Sequence, residues 1–166
     1  DIALQERVEE LATRWCQELR LQNIRDLAVV MVEVESGEIV AYCGNSDMSF
    51  EREGKWVDIA RANRSSGSIL KPLLYTVALQ EGIILPETLL PDVPTDFRGF
   101  TPKNFDGTYA GAIAADEALA LSLNIPNVHL LKAYGVARFA ETLQRAGFVS
   151  LNRSTDKYGL SLVLGG

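Results

Sequence analysis

Two short patterns in this 166-residue chain bring hydroxyl, amine and carboxamide groups together at spacings that suit acyl transfer. The first is Ser68-Ile69-Leu70-Lys71. Residues i and i+3 share a helix face, so Lys71 can reach the Ser68 hydroxyl. A serine hydroxyl is a weak nucleophile until a neighbouring base takes its proton. Lysine is such a base only when neutral, and from an ordinary value near 10.4 about 0.04% of it is neutral at pH 7. Burial disfavours the charged form, and a fall of about three pH units would raise the neutral share to roughly a third. Ser68 also stands where a helix should begin, and free N–H groups there favour developing negative charge. The second pattern is Ser122-Leu123-Asn124, between two helical runs. Its hydroxyl can relay a proton, and its carboxamide can hold a peptide group as donor and acceptor.

Each pattern has a plainer explanation. Lys71 can snorkel outward from a helix end, and Asn124 can cap the helix that starts near Pro126. Both patterns also recur elsewhere, as Ser154-Thr155-Asp156-Lys157 and Ser150-Leu151-Asn152. Context separates the copies. Ser68 is followed by Ile69, Leu70, Pro72, Leu73, Leu74, Tyr75, Val77, Ala78 and Leu79, apolar nearly all round and expected to be buried. A lysine there needs a partner, whereas Lys157 lies in a polar loop. A Ser-His-Asp arrangement has one histidine to use, His129, between Val128 and Leu130, and no Gly-x-Ser-x-Gly elbow is present. No cluster of His, Cys and carboxylates has metal-ligand spacing, so no metal or cofactor is implied.

The surrounding elements follow from periodicity. Leu4, Val8, Leu11, Trp15 and Leu19 predict an amphipathic helix over 2–21. Residues 26–34 and 39–42, with the turn Glu35-Ser36-Gly37-Glu38 between them, predict a β-hairpin. Residues 44–64 are polar and without period. A helix over 68–80 should stop at Gly82. Residues 83–113 hold four of the six prolines and read as a long loop. Helices follow over 114–122, from Pro126 to Tyr134, and over 136–146, with a polar loop at 148–158. A helix, a hairpin and a run of helices give an α+β class. One domain is expected, with 1–43 as helix plus hairpin and 44–166 as a mostly helical portion.

Composition narrows the functional classes. Hydrophobic residues make up 47% and the net charge is −6, ordinary for a globular domain. An acidic chain has no electrostatic footprint for nucleic acid, and no run of 18 apolar residues could span a bilayer. Cys16 and Cys43 read as small buried residues.

At this point the residues resemble a family. Arg64-Ser65-Ser66-Gly67-Ser68-Ile69-Leu70-Lys71-Pro72, then Tyr75, Ala78-Leu79 and Gly82, resemble the first active-site motif of class A penicillin-binding proteins. Ala118-Leu119 through Ser122-Leu123-Asn124-Ile125-Pro126-Asn127-Val128 resemble the second. Pro102-x-Asn104-Phe105, Gly111 and the closing Gly159-Leu160-Ser161-Leu162-Val163-Leu164-Gly165-Gly166 are similar to the 1C branch of that class.

The resemblance implies the N-terminal portion of the penicillin-binding protein/β-lactamase-like serine transpeptidase fold. It implies Ser68 as nucleophile, Lys71 as base, Ser122 as proton relay and Asn124 as substrate holder. The implied ligands are a peptidoglycan stem peptide ending in D-Ala-D-Ala and the β-lactams, and the implied location is the extracytoplasmic face of a bacterial inner membrane. The family's Lys-Thr/Ser-Gly strand is expected beyond these residues, because Lys55, Lys71, Lys103, Lys132 and Lys157 are followed by Trp, Pro, Asn, Ala and Tyr. A chain starting at Asp1 and stopping at Gly166 is therefore expected to be cut from a longer polypeptide. That polypeptide would supply the strand, a glycosyltransferase domain and a membrane anchor. Other outcomes on the same motifs are a D,D-carboxypeptidase, a β-lactamase-like hydrolase, a penicillin-recognising sensor or a non-catalytic scaffold.

Overall fold

The computed structural model of the chain describes residues 2–46, 51, 53–151, 153–154 and 157–166. They fall into two compact units, residues 1–64 and 65–166.

In the first unit, helix α1 (Ile2–Leu19) continues into one 3-10 turn, Arg20–Gln22. Its buried stripe is Val8, Ala12 and Cys16; Val8 and Ala12 pack with Ala41 and Cys43 of the hairpin, and Cys16 Sγ donates to the Arg25 carbonyl at 3.3 Å. Leu11 and Trp15, expected on the buried face, are instead partly exposed. The hairpin meets the side of α1 that carries small residues, because these allow closer approach than an indole. Strands β1 (Val29–Val32) and β2 (Ile39–Cys43) pair antiparallel, the hairpin expected from the β-branched runs and the turn between them. The Gln5 amide bonds both the N–H and the carbonyl of Tyr42 at 2.8 Å, so α1 fills one backbone pair of β2. The unit does not end at Cys43. Asn45 Nδ2 bonds the carbonyls of Lys55 and Val57, and the Tyr42 hydroxyl bonds the Asp58 carboxylate, which ties the polar stretch after residue 44 to the hairpin.

The second unit is built on α2 (Lys71–Gln80), entered through a 3-10 turn, Gly67–Leu70. Its buried face is Lys71, Leu74, Tyr75 and Ala78, the i, i+3, i+4, i+7 stripe of an amphipathic helix. Leu73 and Val77 are half-buried and Leu79 is exposed, so the helix is not surrounded as its composition suggested. Residues 83–113 are not one loop. Leu89–Asp92 (β3) and Gly111–Ala114 (β4) form an antiparallel pair. Pro91 masks β3 from sequence reading, yet in a two-stranded ribbon one edge needs no donor. Helices α3 (Ala115–Ala120), α4 (Asn124–Tyr134) and α5 (Val136–Arg145) follow, then a 3-10 segment, Leu160–Leu164. Leu74, Val128, Leu131, Phe139, Ala140 and Val163 are fully enclosed at the centre.

That last segment packs on the turn carrying Ser68. Ser65 Oγ donates to the Gly165 carbonyl at 2.6 Å. Gly165 has φ +89°, and a Cβ there would lie 2.2 Å from the Gly67 nitrogen. Gly82 has φ +69° with open space around it. Gly82→Ala should therefore cost only the left-handed backbone penalty, about 1–2 kcal/mol. Gly165→Ala should cost clearly more, since backbone must move. Urea unfolding of both variants checks this, and equal costs would contradict the close approach.

Candidate active site

Lys71 is almost wholly buried, with 1% of its surface exposed, among the enclosed large side chains of the second unit. An ammonium carries three donors, and all three are matched. Nζ donates to the Ser122 carbonyl at 2.6 Å, to Asn124 Oδ1 at 2.8 Å and to Ser122 Oγ at 3.2 Å. All three acceptors are neutral, and among the described residues no carboxylate pairs with it. Burial therefore acts without an opposing charge and pulls the amine down from 10.5 to about 8. About a tenth of it is then neutral at pH 7.

Ser68 lies one turn upstream. The Lys71 backbone N–H bonds the Ser68 carbonyl, which closes the 3-10 turn, and the Ser68 side chain is exposed. Nζ is turned toward Ser122 and Asn124, and among the described residues no hydrogen bond to the Ser68 hydroxyl is formed.

Ser122 lies between α3 and α4 with φ +53°, a conformation uncommon outside glycine. This kink turns both its carbonyl and its hydroxyl toward Lys71. Asn124 is the first residue of α4 and does not cap it. Its Oδ1 accepts from Lys71, and its Nδ2 donates to the Lys103 carbonyl at 2.7 Å, leaving the second N–H for another acceptor.

The cap comes from Asn104, whose role sequence reasoning missed. Asn104 Oδ1 accepts from the N–H groups of Asn124 at 2.9 Å and Ile125 at 3.3 Å. Its Nδ2 donates to Asp92 Oδ1 at 2.7 Å and to the Thr108 carbonyl at 2.9 Å. Asp92, also buried, accepts the Ala110 N–H on its other oxygen at 2.8 Å. A cap from twenty residues away leaves no local pattern. The one signal was Asn104 inside the Pro102-x-Asn104-Phe105 match.

His129 is engaged elsewhere. Its Nε2 lies 3.3 Å from Thr95 Oγ1, and its ring meets Phe97 edge-on at 4.8 Å. Burial, with the Lys132 charge, holds its pKa below the usual value. Of the repeated patterns, Asn152, Thr155 and Asp156 lie outside the described residues.

The family described as Penicillin binding protein transpeptidase domain matches residues 27–161. The chain belongs to this family. Over all 166 residues it is 40% identical to penicillin-binding protein 1C of Escherichia coli (strain K12), of which it covers 21%. It is 32% identical over 168 residues to penicillin-binding protein 1A of Neisseria meningitidis serogroup A, with 96% of this chain and 20% of that one covered. The chain thus spans about a fifth of the length of these relatives. The fold matches penicillin-binding protein 1A of Haemophilus influenzae with a TM-score of 0.67 at 29% identity, over 84% of this chain and 21% of the other. It also matches PonA1 of Mycobacterium tuberculosis with a TM-score of 0.68 over 93% of this chain and 43% of the other. At 23% identity this second likeness speaks for the fold alone, and PonA1 has also been solved with penicillin V. Among the described residues no helix is long and apolar enough to cross a membrane.

The lowered amine gives a signed pH dependence. Below pH 8 folded and unfolded chains both hold the Lys71 proton, and its burial cost is present in full. From pH 8 to 10.5 the unfolded chain keeps a proton that the folded chain has lost, so stability rises with pH. The unfolding free energy, measured against Lys71→Met to cancel other alkaline titrations, should shift in favour of the unmodified chain by about 3 kcal/mol across that window. A flat difference would mean that Lys71 keeps an ordinary proton affinity.

Proposed function

We propose that these residues carry the acylating half of a peptidoglycan D,D-transpeptidase site. The observation behind the proposal is the buried amine of Lys71, held by Ser122 and Asn124 one helical turn from Ser68. On losing its proton the amine keeps two N–H contacts, and its freed lone pair accepts the Ser68 proton. Ser68 Oγ then bonds to the carbonyl carbon of the penultimate D-Ala. The tetrahedral intermediate collapses by breaking the C–N bond, and the leaving D-Ala amine takes its proton from Lys71 through the Ser122 hydroxyl. The product is an ester on Ser68, which an acceptor amine resolves. The second N–H of Asn124 binds a carbonyl of the donor peptide, and the Ser68 backbone N–H supplies one oxyanion contact. A β-lactam follows the same first step, but its cleaved amide nitrogen stays tethered to the acyl group. The 40% identity to penicillin-binding protein 1C supports this reading of the ligand class.

The 166 residues contain no Lys-Thr-Gly or Lys-Ser-Gly. The proposal includes a completing strand, with a second oxyanion donor, in the remaining four-fifths of a longer protein on the extracytoplasmic side of the inner membrane. Loss of one such donor costs about a hundred- to a thousandfold in rate, so turnover of a D-Ala-D-Ala peptide by these residues alone should be slow.

Intact mass after incubation with a fluorescent penicillin tests the nucleophile. A single adduct is expected on the unmodified chain and none on Ser68→Ala, while Lys71→Ala should slow adduct formation by about a hundredfold or more. An adduct that persists on Ser68→Ala overturns the assignment. No adduct on any form, repeated on a chain extended through a Lys-Thr/Ser-Gly strand, would leave a non-catalytic scaffold of the same fold.

A further inference from the structure

We infer that the buried Asp92–Asn104 pair is a positioning device for Lys71, setting the start of α4 and with it the oxygens that receive the lysine amine. The inference deepens the proposed function and rests on it only for the consequence to acylation.

Asn104 uses its full hydrogen-bonding capacity. Two donors go to Asp92 and Thr108, and two lone pairs go to Asn124 and Ile125. A flipped amide would set its NH2 against two N–H groups and its oxygen against a carboxylate and a carbonyl, so a single orientation is allowed. Asp92 imposes that orientation, since a carboxylate accepts and cannot donate. It ends β3 and bonds the N–H of Ala110, just before β4, so the hairpin and the Asn104 loop are locked by one side chain.

The loop then grips Asn124 twice. The Asn104 side chain takes its backbone N–H, and the neighbouring Lys103 carbonyl takes its side-chain N–H. The second contact decides which way the Asn124 amide faces, and so presents Oδ1 to Lys71. Asp92 and Asn104 do not touch Lys71. Their influence runs through Asn124, two residues after Ser122 in the chain. Simple capping would explain why losing Asn104 lowers stability, but not a change at Lys71.

The test reads Lys71 directly. In the 166-residue chain with 13C-labelled lysine, its titration is followed by NMR and assigned with Lys71→Arg. Asn104→Ala and Asp92→Asn are compared with Leu143→Ala, a core truncation on α5 away from the network. In both network variants the Lys71 midpoint should climb from near 8 toward the ordinary lysine value. That is about a tenfold or greater gain in proton affinity as the amine regains water. Penicillin acylation near neutral pH should slow by a similar factor, and Leu143→Ala should leave the midpoint in place. Folded network variants whose Lys71 titrates as in the unmodified chain would overturn the inference. If Asn104→Ala does not fold, Asp92→Asn decides. The titration needs no substrate, so a chain that never acylates still tests this inference while failing the proposed function.

Discussion

A lysine ammonium shut away from water must find three acceptors, and the second unit is organised around supplying them to Lys71. The amine lies on the core face of α2, where Leu74, Tyr75 and Ala78 continue the same stripe. The acceptors come from the α3–α4 junction, where Ser122 adopts a left-handed backbone and Asn124 opens the next helix. That junction is pinned by Asn104, and Asn104 by Asp92. A chain of hydrogen bonds thus runs from the β3–β4 hairpin to a point one turn from Ser68. Breaking it midway would strand buried polar groups, at a cost of about 1–3 kcal/mol each. That cost holds the arrangement in one geometry.

Much of this was legible in the residues. An apolar helix with one lysine announces an amine that needs a partner; the spacing pointed to Ser68, and the structure supplies Ser122 and Asn124 instead. The hairpin was readable from β-branched runs and a glycine turn. The less legible parts have identifiable causes. Strand β3 contains Pro91 and β4 reads Gly-Ala-Ile-Ala, neither of which has strand-like composition. The buried stripe of α1 was misplaced because Leu11 and Trp15 outweigh Ala12 and Cys16 in hydrophobicity, although the small residues are what let the hairpin approach. The cap on α4 was assigned to Asn124 as the plainer alternative, because caps are usually local. Here a residue twenty positions away takes the backbone donors and frees Asn124 for the amine.

Family membership and side-chain geometry carry different weight. The match over residues 27–161 fixes the ancestry of the chain and the kind of domain it comes from. It does not say that a base is poised. That argument rests on 1% exposure, three neutral acceptors and an amine drawn down to about 8. Ser154 and Lys157 of the repeated Ser-x-x-Lys pattern are exposed, without the burial that Lys71 has. A short motif acquires chemistry only where the fold removes water from it.

Neutral acceptors around Lys71 also set how the site responds to its surroundings. A base tuned by a carboxylate partner loses part of that tuning as dissolved ions screen the pair. Carbonyl, hydroxyl and amide dipoles a hydrogen bond away, in a pocket closed to bulk ions, leave little for salt to screen. The proton inventory at this amine should then follow acidity and ignore ionic strength.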